Sequence, residues 1–61
     1  MITFKEACEV YHERYRLSAP EARQNVKLDF EMLDNRENRH HLYTKESFNQ
    51  YLQEMEDLGS Y

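Results

Sequence analysis

The sequence predicts a small α+β domain: a helix, a short helix, a β-hairpin and a closing helix, with a strand stub in front. Three observations predict it. Hydroxyl-led cap signals at Thr3, Ser18 and Thr44 each introduce a segment with helical apolar spacing. Between the second and third, Val26, Leu28, Phe30 and Met32 alternate with Lys27, Asp29 and Glu31, the period of a half-buried strand. The chain has 61 residues, enough for one domain (1–61) and one core.

In chain order, Met1-Ile2-Thr3 is short and apolar and suits a strand stub. Thr3 followed by Glu6 is a capping box that starts a helix at Phe4. Phe4, Ala7, Cys8, Tyr11 and Tyr15 fall within a sector of about 100°, one core-facing stripe, and the helix should end near Arg16–Leu17. Ser18 and Glu21 form the second box, with Pro20 tolerated in the first turn because its missing N–H would be unpaired there. Ala22 and Val26, four apart, predict a short helix over 19–25. The alternating strand 26–32 follows, then the polar turn Asp34-Asn35-Arg36-Glu37-Asn38 and a return strand in which His40 and Leu42 alternate with His41 and Tyr43. Thr44 caps the last helix, where Phe48, Tyr51, Leu52, Met55 and Leu58 recur at helical spacing before Gly59, a C-terminal cap. A two-stranded hairpin is marginal alone, so helices must cover one of its faces. The expected core is Phe4, Ala7, Cys8, Tyr11, Val26, Leu28, Phe30, Leu42, Phe48, Leu52 and Met55. The alternative is a continuous helix from Ser18 to Leu33 in an all-α bundle, with Val26, Phe30 and Leu33 as its stripe.

Composition narrows the function classes. Aromatics make up 13%, with one Gly and one Pro, which is unlike a disordered tail. One Cys cannot make a disulfide scaffold, and no apolar stretch approaches the roughly 20 residues that span a bilayer. Lys5 and Glu6 interrupt the N-terminus before any signal-peptide apolar segment, so a soluble cytoplasmic protein without membrane contact is expected. Catalysis is not expected. Ser18 and Thr44 read as helix caps, Cys8 as a small buried hydrophobe, and a single glycine gives no backbone cradle for phosphate. No G-x-S-x-G or H-E-x-x-H pattern is present. Glu9 and His12 form one E-x-x-H pair, whereas di-iron bundles need two such pairs and two further Glu. His40 and His41 would point to opposite faces of a strand and could not chelate together. No catalytic residue, metal or cofactor is therefore expected.

Charge is more informative. Residues 1–45 carry eight basic and eight acidic groups, whereas 46–61 carry only acids: Glu46, Glu54, Glu56 and Asp57. These four mark an acidic face for a protein partner with a basic surface. The opposing signal is a basic spot around Arg36, Arg39, His40 and His41, with Arg14, Arg16, Arg23 and Lys27 as further phosphate contacts. Asp29, Glu31, Asp34 and Glu37 are interleaved with it, and a net charge of −4 makes DNA the less expected partner.

The opener Ile2-Thr3-Phe4-Lys5-Glu6-Ala7, the cap at Ser18, the stretch from Lys27 to Tyr43 and the segment from Phe48 through Leu52 resemble the compact winged helix-turn-helix of phage excisionases and MerR-like regulators. The resemblance implies a degenerate winged helix. Arg23, Gln24 and Asn25 would lie on its reading helix, and Arg36 and Arg39 on its wing, as nucleic-acid contacts. A winged helix that has lost its DNA surface and binds protein fits both the resemblance and the acidity. The expected function is a small non-catalytic regulatory or inhibitory protein acting by protein–protein contact, phage or mobile-element encoded, blocking a host nucleic-acid-processing enzyme. The alternative is an excisionase-like DNA-binding regulator. Tyr15, Tyr43, Tyr51 and Tyr61 exceed what one small core can hold, which motivates a homodimer.

Overall fold

All three predicted N-caps form, and each is reciprocal. In the computed structural model, which describes residues 1–59, Thr3 Oγ1 accepts from the Glu6 amide at 3.1 Å while the Glu6 carboxylate accepts from the Thr3 amide at 2.9 Å. Ser18 pairs with Glu21 in the same way, and Thr44 with Ser47. Behind these caps lie α1 (Phe4–Tyr15), α2 (Ala19–Leu33) and α3 (Lys45–Asp57), with a 3-10 turn, Arg39–Leu42, between the last two. Arg16 ends α1 in the left-handed region at φ 54°, and Gly59 follows α3 at φ 76°, where the missing Cβ removes the steric cost.

The hairpin does not form: the architecture among the described residues is all-helical, so the α+β expectation is wrong. Residues 26–32 are the second half of α2, which runs to Leu33 and not to 25. The return strand 40–43 is instead the 3-10 turn and its exit. The N-terminal stub is no strand either. Ile2 is buried and donates one backbone hydrogen bond to the Leu42 carbonyl at 2.7 Å.

The physical reason lies on α2. Ala22, Val26 and Leu33 are spaced for one helical stripe, and all three are buried. No glycine or proline interrupts the chain between Pro20 and Gly59. Leu28 and Met32 lie on the opposite side of α2, 65% and 53% exposed, and it is these outward residues that make the sequence look alternating. Two strands alone would also have had to find their stability from a face that α2 buries more fully as a helix.

The expected core is corrected at both ends. Leu28 is exposed, Phe4 is 40% exposed, and Cys8, Phe30 and Met55 are only partly buried. Ile2, Val10, Ala22, Leu33 and Tyr51 join the buried set. The polar turn is real but joins helices. The Asn35 side chain accepts from the Glu37 and Asn38 amides at 2.9 and 3.0 Å, and donates to the Met32 carbonyl at 2.7 Å.

A three-residue link turns α2 back antiparallel to α1, bringing Phe4 to within 5.9 Å of Phe30, ring centre to ring centre. On its other side α1 meets α3, which also packs on the 3-10 turn. The accessible surface is 4438 Å² and the radius of gyration 10.7 Å. A folded monomer of this mass should have about 4,200 Å² and about 10.5 Å. One chain therefore reaches ordinary compactness without a partner.

Candidate protein-contact groove

Along α1, Phe4, Cys8 and His12 recur every four residues and form one flank of the helix. The facing positions on α2 are Ala19, Ala22 and Arg23, two of them too small to fill the space opposite. The result is an open groove of about 420 Å³ between the helices, with Lys5, Glu9 and Glu13 on the α1 rim. Its floor is Phe4, Cys8, Ala19 and Ala22. Burial pushes the Cys8 thiol up, outweighing the opposite pull of Arg23.

The polar groups of the groove are unequally committed. The His12 ring nitrogen Nδ1 bonds the Leu17 carbonyl at 2.6 Å, tying the end of α1 to the link. Glu9 receives Lys45 of α3 at 3.0 Å, a contact that raises the lysine's pKa. Lys5 and Arg23 make no ion pair among the described residues.

The four predicted acidic residues do not form one face. Glu46 and Asp57 share the outer side of α3, and Asp57 accepts from Gln53 at 3.0 Å. Glu54 and Glu56 lie roughly 160° apart around the helix. Glu54 borders a second hollow of about 290 Å³ with His40, His41, Ser47, Gln50 and Tyr51. Glu56 turns the other way, to Arg14 of α1 at 2.6 Å, so its charge is neutralised inside the fold.

The alternative nucleic-acid residues are also scattered. Arg23 faces the groove and Gln24 is exposed on α2. Asn25 donates back to the Glu21 carbonyl at 2.8 Å. Arg39 pairs with Asp34 at 3.3 Å, and Arg36 is exposed in the turn. The stretch assigned to a wing is helix and turn, so no wing presents Arg36 and Arg39.

His40 and His41 are not on opposite faces, because they sit in a 3-10 turn and not in a strand. Their rings lie 4.0 Å apart, and His41 also meets the Tyr51 ring at 4.6 Å. Among the described residues no group of three His, Cys, Asp or Glu is placed to hold a metal ion, and no helix is long and apolar enough to cross a membrane. Of the tyrosines expected at a dimer interface, Tyr51 is buried, Tyr15 is half-buried and Tyr43 is exposed. Tyr61, like Ser60, lies outside the described residues.

The groove was missed in the sequence because its walls are Cys8 on one helix and Ala19 and Ala22 on another. Their proximity depends on how α1 and α2 pack against each other, which the spacing within either helix does not encode. No protein-family model, curated protein or solved structure matches the chain.

Proposed function

We propose that the protein is a small, non-catalytic, cytoplasmic binding module that regulates or inhibits a protein partner by contact through the α1–α2 groove. The observation that carries this reading is an apolar floor left open on a chain whose candidate chemical groups are committed to structure. Ser18 and Thr44 cap helices, Ser47 completes the third cap and donates to the His41 carbonyl at 3.0 Å, and His12 holds the Leu17 carbonyl. An exposed apolar surface rimmed by polar residues is the usual signature of an interaction site. A basic partner would still meet Glu46 and Asp57 on α3, but with Glu54 and Glu56 diverted that surface is the weaker candidate.

The lone cysteine allows a direct test. A benzophenone carried on Cys8 should crosslink the partner in extracts of the native cell. The same group on an outer-face cysteine of α3 (Glu46→Cys in a Cys8→Ser background) should not, because Glu46 is exposed and faces away from α1. Equal crosslinking from both positions, or from Glu46→Cys only, would place the contact elsewhere.

A further inference from the structure

We infer that the groove's occupant is an amphipathic helix of a partner protein, about three turns long, that carries acidic residues beside its apolar stripe. The inference rests on the proposed contact role of the groove and adds the chemistry of what fills it. The groove runs from Phe4 to Glu13 on α1, nine residue steps or roughly 13 Å of helix rise. An incoming helix with apolar anchors at i, i+4 and i+7 spans roughly 10 Å, so three anchors fit along this floor. A floor made of Phe4, Cys8, Ala19 and Ala22 offers small residues against which a third helix can approach closely, and it has few polar groups for an extended peptide backbone to bond.

The charge of the occupant follows from which rim groups are spoken for. Glu9 is held by Lys45 at 3.0 Å and His12 by the Leu17 carbonyl at 2.6 Å. Lys5 on the α1 wall and Arg23 on the α2 wall remain without ion pairs among the described residues, one on each side of the floor. Two cations flanking an apolar strip complement carboxylates flanking an apolar stripe. Glu13 stands on the α1 wall at the end away from Lys5, so the partner's carboxylates lie over Lys5 and along the Arg23 wall, clear of Glu13.

The test uses two designed 14-residue alanine-based helical peptides with the same leucine anchors, one flanked by Glu and one by Lys, titrated into the isotope-labelled protein and followed by amide chemical shifts. The Glu-flanked peptide should shift Phe4, Cys8, His12, Ala22 and Arg23 and bind at least tenfold more tightly than the Lys-flanked one. The exposed substitution Arg23→Glu should reverse that preference, and Lys5→Glu should weaken it if Arg23→Glu proves poorly folded. Equal affinity for the two peptides, with shifts confined to the groove, would overturn the acidic partner and leave the contact role standing. Shifts confined to the outer side of α3, or no shift with either peptide, would overturn both.

Discussion

The two sides of α1 are finished in different ways. On the α3 side, large side chains close the seam: Tyr11 stacks on Phe48 at 5.7 Å, Leu52 is buried, and Arg14 reaches Gln53 at 2.9 Å and Glu56 at 2.6 Å. On the α2 side Phe4 meets Phe30 at one end at 5.9 Å, but beside the groove the buried contacts are smaller, Ala7, Ala22 and Val26, and beyond them Cys8 and Ala19 open into it. Bulky aromatics hold helices apart but fill the space between them. Alanines let backbones approach and leave the flank of the seam unfilled. The α1–α3 seam, built on Phe48 and Leu52, should therefore be a main support of the fold, and binding should fall on the α1–α2 flank beside the alanines.

The sharpest way to break that comparison is Phe48→Ala. It should cost about 3–5 kcal/mol. A domain of this size has roughly 3–9 kcal/mol in total, so the variant should be largely unfolded by far-UV circular dichroism at 25 °C. A cooperative urea transition close to that of the native protein would show that the α1–α3 seam is not a main support.

Glu56→Gln sharpens the same seam at smaller scale. Arg14 and Glu56 are only partly buried, so the pair should contribute about 1 kcal/mol after solvent screening. The midpoint of urea denaturation should fall accordingly, with little change in slope. An unchanged midpoint would make the acid a surface group after all, available to a basic partner.

Acidification should weaken the fold in two stages. Burial, then the neighbouring His40, holds the His41 pKa below the usual imidazole value, against a smaller pull from Glu54. The folded protein thus resists a proton that the unfolded chain takes. His41's contribution is complete above about pH 6.5 and is lost as the pH falls through its lower folded value. Glu6 is held below the usual carboxylate range by hydrogen bonds with the Thr3 backbone and side chain, and Glu21 by bonds with the Ser18 side chain and backbone. Their contributions are present above about pH 4.3 and are lost as the pH falls through their lower folded values. Melting temperature should therefore begin to fall below about pH 6.5, and His41→Gln should remove that first stage only. A fall confined to the carboxylate range would show that the His40–His41–Tyr51 stack carries no penalty for charge.

The smallest effect is the most discriminating for the fold. Leu28→Gln should change stability by no more than about 0.5 kcal/mol, because the side chain already faces water on α2. In a β-hairpin with Leu28 in the core, the same change would cost several times more.

That residue also marks how far the sequence was legible. Local signals survived intact: three caps, the Asn35 turn and the stripe Phe48–Tyr51–Leu52–Met55 of α3 depend on spacings of three and four. Residues 26–32 did not, because Leu28 and Met32 place apolar side chains on the solvent side and counterfeit a period of two. The stripe that prevails, Ala22–Val26–Leu33, needs α1 beside it to be recognised as buried. The acidic set was legible as composition only. Which of Glu46, Glu54, Glu56 and Asp57 stays free depends on Arg14, 42 residues away from Glu56 in the chain. The groove could not be read at all before the α1–α2 register was known.

Native-state thiol labelling compares the two flanks of α1 most directly. Cys8 in the groove should react with a small disulfide reagent at a rate that does not change with sub-denaturing urea, because its access needs no opening of the fold. A cysteine placed in the closed seam (Leu52→Cys in a Cys8→Ser background) should react at least about 100-fold more slowly relative to its unfolded rate, with a rate that climbs steeply with urea as global unfolding becomes easier. If Cys8 instead shows the same protection and the same urea dependence as Leu52→Cys, the α1–α2 flank is closed, and no groove is available to a partner.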